Sequence, residues 1–288
     1  MKVENSSNQV KSHLSNLYIQ LAQASETPKL DAQVLLSHVL RASRTWVLAH
    51  PEARLSLQEE ERLEALSAQA ARGTPLPYVI GHWEFYGMDF LLTPDTLIPR
   101  PETELLVEQA LAWIQGHPHM RWAVDVGTGS GCIAISLAVK VPDLMILATD
   151  VSLKALKVAW ENARRHQVAS RVHVVQMDLL SAAEATFDLV CANLPYLPSQ
   201  RLQGLGVYGK EPKLALDGGP AGLDLIQKLL HTGSQHLSQQ GLMLLEIDAT
   251  QAHAVKRLVG EAFPNGNLRV IPDLAGWDRL VAIHNRWE

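Results

Sequence analysis

The chain has 288 residues, of which 47% are hydrophobic and 19% are charged, and its formal net charge is −5. These values are typical of a globular protein with a sizeable core, and the acidic balance argues against duplex nucleic acid as a partner, because such proteins usually carry a basic face. Two cysteines are too few for a disulfide framework, and no His or Cys spacing predicts a metal site. The sequence has neither a signal-like apolar segment nor a membrane-length apolar run, so we predict a reduced, cytoplasmic protein.

The first part of the chain is predicted to be helical. From Val10 to about Arg72 there are no β-rich runs. Ser56 with Glu59 three residues later has the pattern of a capping box, and Gly73 suits a helix end. Because short amphipathic helices must bury their apolar faces against one another, residues 1–80 are predicted to form a small helical bundle.

The pattern changes twice after this bundle. In residues 81–98, the alternation of "EFYGMDFLL" around Gly87 predicts a β-hairpin that links two domains. Residues 99–288 alternate helices with short apolar strands, which is typical of an α/β domain with a doubly wound, mostly parallel sheet. The seven predicted strands are Trp122–Val126, Met145–Thr149, Val172–Val175, Leu189–Ala192, Leu242–Ile247, Leu268–Ile271 and Leu280–Ile283.

A glycine-rich loop follows the first of these strands, in "DVGTGSGCIAISLA". Its glycines permit a tight turn and close backbone approach, and the helix that follows offers free N–H groups to a ligand. A dinucleotide fingerprint would require glycine at Cys132, and no Lys-Ser/Thr pair follows as in a P-loop. The loop is therefore predicted to hold another nucleotide-like ligand, through Gly127, Thr128, Gly129 and Gly131.

Polar residues also end the next three strands. Asp150 can accept hydrogen bonds from both hydroxyls of a ribose, and Asp178 can either accept from an adenine amine or cap a following helix. The fourth strand ends in Asn193-Leu194-Pro195-Tyr196. Because the carboxyl ends of parallel strands meet at one rim, these features predict a cofactor cleft, with Asn193 and Tyr196 at its substrate end.

The sheet motifs resemble those of class I S-adenosylmethionine-dependent methyltransferases, and residues 193–196 resemble the (Asn/Asp)-Pro-Pro-Tyr motif of amino-group methylases. "FYGMDFLLTPDTLIPRPETELLVEQAL", the glycine loop and "EPKLALDGGPAGLD" resemble a narrower family, the protein-(glutamine-N5) methyltransferases that act on peptide chain release factors. "DAQVLLSHVLRASRTWVLAHPE" is similar to that family's helical N-terminal domain. The resemblance implies a Rossmann-like sheet, S-adenosylmethionine as cofactor, and substrate recognition by residues 1–80.

The implied substrate is the glutamine side chain in the Gly-Gly-Gln loop of a release factor. An amide nitrogen is a weak nucleophile, so the main task of the protein would be alignment and polarisation. The Asn193 side-chain oxygen and the Leu194 carbonyl could each accept one N–H of that amide beside the cofactor, while Tyr196 stacks along it and Pro195 completes the wall. No strong general base is evident in the sequence.

Three further residues have two interpretations each. In the resembling family "PRPETE" borders the cofactor, so Pro101 and Glu102 are predicted at the cofactor rim, although both also suit a helix start. Phe85 is predicted either to contact substrate or to pack inside the hairpin.

The chain departs from the family pattern at three positions: Leu194 replaces proline, Asp248 replaces glycine and Lys210 replaces an aromatic residue. The alternatives are a methylase that flips an adenine base of DNA or RNA into the site, and a cofactor-binding protein that has lost its activity. The acidic charge and the helical domain disfavour the first, and retention of Asn193, Tyr196 and the glycines disfavours the second. We expect a monomer that binds release factors and contacts neither nucleic acid nor membrane.

Overall fold

The computed structural model describes residues 8–285. It divides into two compact units, the first ending at Gly81 and the second beginning at His82. The helices of the first unit are α1 (Val10–Leu21), α2 (Pro28–Leu40), α3 (Arg44–Ala49), α4 (Leu57–Ala71) and α5 (Leu76–Ile80). These five helices confirm the predicted helical bundle. The Ser56 hydroxyl accepts from the Glu59 N–H and the Glu59 carboxylate accepts from the Ser56 N–H, which confirms the predicted capping box.

The second unit contains a seven-stranded sheet made of β3 (Trp122–Val126), β4 (Met145–Asp150), β5 (Val172–Gln176), β6 (Phe187–Ala192), β7 (Leu237–Glu246), β8 (Asn267–Pro272) and β9 (Asp278–His284). Their order across the sheet is β5-β4-β3-β6-β7-β9-β8. The strands β3 to β7 run parallel, and β9 runs antiparallel to both β7 and β8, which confirms the predicted mostly parallel sheet. Strand β7 begins five residues earlier than predicted. The remaining strands and helices of this unit are β1 (His82–Phe85), β2 (Met88–Leu91), α6 (Glu104–Gly116), α7 (Cys132–Lys140), α8 (Leu153–Arg165), α9 (Ser199–Leu202), α10 (Asp224–His236) and α11 (Ala252–Ala262).

Both faces of the sheet are covered by helices. Alternate residues of a strand point to opposite faces, so Ala123 and Cys191 pack with α6 and α7, whereas Val124 and Val190 pack with α10 and α11. Burial on both faces explains why these strands are near-continuous apolar runs. Both cysteines are buried and free, as predicted.

The predicted hairpin is present as antiparallel β1 and β2, and its contacts place it in the second unit. Phe85 and Phe90 are buried in the core of that unit. The side chain of Asn162 on α8 accepts from the Leu91 N–H at 2.8 Å and donates to the Leu91 carbonyl at 3.0 Å, as a neighbouring strand would. The same amide donates to the Ser130 carbonyl at 2.9 Å, so Asn162 joins the hairpin to the glycine loop.

Strand register brings the predicted site residues to one rim. Val126 pairs with both Thr149 and Ala192, so the residues that follow these three positions emerge side by side. Ala192 in turn pairs with Leu245, which makes Asn193 and Glu246 neighbours at the rim. None of the helices in residues 8–285 has the length and apolar character needed to cross a bilayer.

Candidate active site

The glycine loop bends sharply as it leaves β3. The N–H groups of Gly127 and Thr128 both donate to the Thr149 carbonyl at 2.8 Å, which fixes the turn against β4. Gly127 and Gly129 have φ values of 73° and 57°, in the left-handed region that glycine enters without strain. The loop therefore exposes backbone at the position where a ligand would approach the start of α7.

The third loop glycine has a packing role. A Cβ on Gly131 would lie 2.8 Å from Ile135 Cδ1 and 3.2 Å from Ala159 Cβ, so its hydrogen lets α7 pack closely against α8. Gly131 is the N-cap of α7 and is not among the residues that line the cleft described below.

A buried carboxyl group supports the loop from beneath. Oδ2 of Asp125 accepts from the Thr128 hydroxyl at 2.6 Å and from the Ala134 N–H at 3.2 Å. Burial raises the pKa of Asp125 to about 6, against the lowering effect of these two hydrogen bonds. The sequence analysis assigned no role to Asp125 and predicted only ligand binding for Thr128. The signal that could have paired them is their i, i+3 spacing across the turn.

Asp150 holds the other side of the loop. Its carboxylate accepts from the Gly129 N–H at 3.0 Å and from the Ser152 N–H at 2.8 Å, and burial raises its pKa. Each carboxylate oxygen keeps a lone pair free for a further donor. The side chain is therefore oriented toward the cleft and can accept hydrogen bonds from paired hydroxyls.

These strand ends line a cleft of about 540 Å³. Asp178 lies on its wall, is exposed, and begins no helix, so its carboxylate is open to a ligand rather than used as a cap. The predicted site residues that line this cleft are Gly127, Gly129, Asp150, Asp178, Asn193, Leu194 and Pro195.

A second cavity, of about 260 Å³, adjoins the first at the loop that follows β6. Asn193, Leu194 and Pro195 line both cavities, whereas Tyr196 lines only the smaller one. The loop thus forms a wall that both spaces share. This arrangement suits transfer of a small group from one ligand to another.

The side chain of Asn193 is held from behind. Its amide nitrogen donates to the buried hydroxyl of Thr103 at 2.9 Å, so the nitrogen is occupied within the protein. The Tyr196 hydroxyl donates to Oε1 of Glu246 at 3.3 Å, and burial, with the nearby Glu246, raises the pKa of Tyr196. Glu246 ends β7, is 2% exposed, and has a pKa that burial raises to about 7.

The "DGGPAGLD" segment supports the main chain of this wall. A Cβ on Gly218 would lie 2.5 Å from the Pro195 carbonyl oxygen, so only glycine fits there without movement. The side-chain amide of Gln251 donates to the Tyr196 carbonyl at 2.9 Å and to the Gly222 carbonyl at 3.1 Å. The several glycines of the segment could have indicated close backbone packing, but the sequence analysis assigned the segment no role in the site.

An ion pair closes the smaller cavity. Arg100 lines the cavity and pairs with Glu211, which is 7% exposed and also accepts from the Ile98 N–H at 3.1 Å. The pair joins the segment before α6 to the segment that precedes "DGGPAGLD". Sequence reasoning did not pair these residues, which are more than a hundred positions apart.

Thr128 and Gly131 do not line the cleft, and Pro101, Glu102 and Phe85 also lie elsewhere. Pro101 and Glu102 are exposed in a 3₁₀ turn and do not line the cleft, so their role at the cofactor rim stays a prediction. Phe85 is 1% exposed and packs edge-on against Phe90. Of the two interpretations of Phe85, its burial favours packing inside the hairpin, and contact with substrate stays a prediction.

Two departures from the family pattern have local explanations. A Cβ on Gly127 would lie 3.0 Å from Leu194 Cδ2, so the leucine side chain covers the glycine loop. Asp248 accepts from the Thr250 N–H and hydroxyl at 3.0 and 2.6 Å and pairs with Arg201 at 3.0 Å. Burial acts to raise the pKa of the Asp248 carboxyl, but these contacts hold that pKa below its usual value. The hydrogen bonds to Thr250 close a turn before α11.

Comparison with solved structures shows the fold class. A ribosomal protein L11 methylase from Lactobacillus delbrueckii matches with a TM-score of 0.51 at 21% identity, over 68% of this chain and 84% of that one. A T. thermophilus 16S rRNA methyltransferase in complex with AdoMet and guanosine matches with a TM-score of 0.51 at 16% identity, over 72% and 50%. The sheet unit therefore has the class I methyltransferase fold.

Family models and curated relatives specify the family. Residues 14–81 match the PrmC N-terminal domain, and residues 102–204 match the methyltransferase small domain. The chain is 41% identical to the release factor glutamine methyltransferase of Moorella thermoacetica, over 91% of this chain and 93% of that protein. It is 36% identical to that of Coxiella burnetii, over 94% and 97%. The chain belongs to the release factor glutamine methyltransferase family, as its sequence motifs predicted.

Proposed function

We propose that this protein transfers a methyl group from S-adenosylmethionine to the side-chain amide nitrogen of the glutamine in a release factor's Gly-Gly-Gln loop. The observation that carries the proposal is the segment of Asn193, Leu194 and Pro195, which lines both the large cleft and the smaller cavity. Family membership supports the same reaction, because the curated relatives are release factor glutamine methyltransferases.

The large cleft is the proposed cofactor site. Its volume and its open rim of glycine backbone and carboxylates fit a nucleoside with a charged tail. Asp150 would accept from the ribose hydroxyls, Asp178 from the adenine amine, and the left-handed backbone at Gly127 and Gly129 leaves room for close approach. S-adenosylmethionine supplies an electrophilic methyl group when bound.

The smaller cavity is the proposed glutamine site. Asn193 presents its side-chain oxygen there because its nitrogen is engaged by Thr103, so the oxygen can accept one substrate N–H. The Leu194 carbonyl would accept the second. Holding both hydrogens orients the nitrogen toward the cofactor side of the wall and increases its electron density. Tyr196 would pack along the amide as a neutral ring, because its raised pKa keeps the hydroxyl protonated.

The proton released on transfer needs no buried base in this scheme. An N-methylated, protonated amide is a strong acid and loses its proton to water as the product leaves. In the part of the chain that the structure describes, no group of three or more His, Cys, Asp or Glu residues could hold a metal. The residues named here act through hydrogen bonds and shape.

The first unit is proposed to recognise the release factor outside the glutamine loop, and the protein is proposed to act as a cytoplasmic monomer. Sedimentation of the full chain tests the monomer, which predicts one species near 31.7 kDa. Substitution of exposed apolar residues on α1 and α3, such as Ile19 and Leu48, should raise KM for release factor without changing kcat.

The reaction is tested with tritiated S-adenosylmethionine offered to purified release factor, to the same factor with its Gly-Gly-Gln glutamine replaced, to DNA and to RNA. We expect label only in the unmodified release factor. Label in nucleic acid would instead establish a base methylase. No label in any of the four, together with calorimetric binding of S-adenosylmethionine, would establish a protein that binds cofactor without transferring methyl.

A further inference from the structure

The turn between β8 and β9 presents two large apolar side chains to solvent. Leu274 is fully exposed and Trp277 is 63% exposed. Single exposed apolar residues are common on protein surfaces, but a leucine and a tryptophan on one short turn leave an apolar patch in water. Tryptophan is also among the residues that most often supply the binding energy of protein interfaces. The turn therefore has the composition of a contact surface.

Hydrogen bonds within the turn hold its backbone. The Asp273 N–H donates to the Trp277 carbonyl at 2.8 Å, and the Gly276 N–H donates to the Asp273 carbonyl at 2.9 Å. The Asp273 carboxylate accepts from the N–H groups of Ala275 and Trp277 at 2.9 and 3.0 Å. The same carboxylate accepts from the Arg279 guanidinium at 3.2 Å. A turn that is already ordered in this way loses little conformational entropy when a partner covers it.

Strand register places this turn at the rim that carries the smaller cavity. Ala192 pairs with Leu245 on β7, and the next residue of β7, Glu246, pairs with Leu280 on β9. Asn193, Glu246 and Leu280 therefore lie at one level of the sheet. Because β9 runs antiparallel to β7, the residues that precede Leu280 lie beyond that level, on the same side as the loop that follows β6.

The segment after β7 connects the turn with the wall of the smaller cavity. The Ile247 N–H donates to the Arg279 carbonyl at 2.9 Å, and the Arg279 guanidinium donates to the Ile247 carbonyl at 3.3 Å. The preceding residue, Glu246, accepts from the hydroxyl of Tyr196, which lines the cavity. Neighbouring strands are about 4.8 Å apart, so β9 lies about 10 Å from β6, a distance that about three residues of extended chain span.

We propose that Leu274 and Trp277 bind the release-factor segment that flanks the Gly-Gly-Gln loop. This inference rests on the proposed function and extends its substrate site across β7 and β9. A chain whose glutamine side chain occupies the smaller cavity reaches the turn within a few residues. Asp273 is paired with Arg279, so the exposed part of the turn is apolar and the matching surface of the release factor is an apolar patch.

Kinetics of the full-length enzyme with purified release factor test the proposal. Leu274→Ser combined with Trp277→Ser should raise KM by about 5- to 20-fold, as expected when an aromatic anchor of an interface is lost. The kcat should stay within about twofold of wild type, because binding outside the reacting groups is lost equally from the ground state and the transition state.

Trp122→Ser is the matched control for this double variant. Trp122 is 55% exposed, close to the exposure of Trp277, but it begins β3 and so lies at the opposite rim of the same sheet. Its KM for release factor should stay within about twofold of wild type. Urea denaturation of both variants should match wild type, since the replaced side chains are exposed.

A photocrosslink locates the contact without relying on kinetics. Leu274→p-benzoylphenylalanine should crosslink to the release-factor segment next to Gly-Gly-Gln, and mass spectrometry identifies the joined peptide. Trp122→p-benzoylphenylalanine should give no crosslink to that segment.

Two results would overturn the proposal. One is a KM for the double variant equal to that of Trp122→Ser. The other is a crosslink from position 274 only to a distant surface of the release factor, or to a second copy of the enzyme, which would make the turn a dimer contact. If the wild-type enzyme labels no release factor, the proposed function itself fails. If it does, and the double variant behaves like its control, only this inference fails.

Discussion

Gly222 lies directly against the carbonyl oxygen of Tyr196, so that a Cβ at position 222 would stand 2.1 Å from that oxygen. Its φ of 72° is also in the left-handed region. The side-chain amide of Gln251 donates to the main-chain carbonyls of Tyr196 and Gly222. The "DGGPAGLD" segment and the wall of the smaller cavity are therefore held together. Close backbone contact of this kind lets a glycine-rich loop control the position of residues that face a substrate.

Substitution at this contact should disturb both stability and turnover. Gly222→Ala is expected to lower the free energy of unfolding by about 1–3 kcal/mol, because the new methyl group has no space and the backbone is strained. It should also lower kcat by about tenfold, since the wall must move. Gly260→Ala on α11 is the matched control, because a Cβ there has no atom within 4 Å. That control should be neutral or up to about 1 kcal/mol more stable, as alanine favours helix. Urea denaturation and steady-state kinetics measure both effects, and equal behaviour of the two variants would contradict the packing argument.

Loss of the Asn193 side chain should affect chemistry more than binding. Asn193→Ala is expected to lower kcat by about 10²- to 10³-fold, because one acceptor for the substrate amide is lost at the point of transfer. The affinity for S-adenosylmethionine should stay within about threefold. Asn267→Ala, on the exposed start of β8, provides a matched control. Turnover within a few fold of wild type would remove Asn193 from the reaction.

Asp150 should show the opposite pattern. Asp150→Ala removes the acceptor for the Gly129 N–H and the proposed partner of the ribose hydroxyls. Affinity for S-adenosylmethionine should fall by about 10- to 100-fold, as expected when a charged hydrogen-bond acceptor is lost. Calorimetric titration measures this change, with Asp143→Ala, at an exposed turn before β4, as the control. Unchanged cofactor affinity would rule out the ribose assignment.

The buried carboxyl of Asp125 should make stability depend on pH. Its pKa is raised from 3.8 to about 6 in the folded protein, so the folded state holds this proton more tightly than the unfolded state does. The free energy of unfolding should therefore fall as the pH rises from about 4 to about 6, by roughly 1.4 kcal/mol for each unit of the shift, and change little from this group at higher pH.

Asp125→Asn should remove that part of the pH dependence, because asparagine does not titrate. Asp143→Asn is the matched control. The Arg121 partner lowers the pKa of Asp143, so this carboxyl is ionised in both states above about pH 5 and its loss should leave the slope unchanged. Denaturant titrations at several pH values between 5 and 8 measure the slopes. Identical slopes for wild type and Asp125→Asn would show that Asp125 does not titrate in this range.

Local patterns in the sequence determined the fold class and the composition of the rim. Seven apolar strands, a glycine loop after the first and polar residues after the next three were readable because strand burial, turn formation and helix capping depend on neighbours within a few positions. The residues that line the cleft, including Asp150, Asp178 and Asn193, were found for this reason. The reaction was predicted from motifs that resemble those of one family.

Only the tertiary structure decided which residues support that rim. The contact between Asn193 and Thr103 spans 90 positions, that between Tyr196 and Glu246 spans 50, and neither leaves a local pattern. The burial of Phe85 likewise depends on where the hairpin packs. Such contacts follow from strand register and from the packing of distant segments. Register is set by how the buried faces of both strands fit together, so the stretch around one strand does not specify its neighbour at the rim.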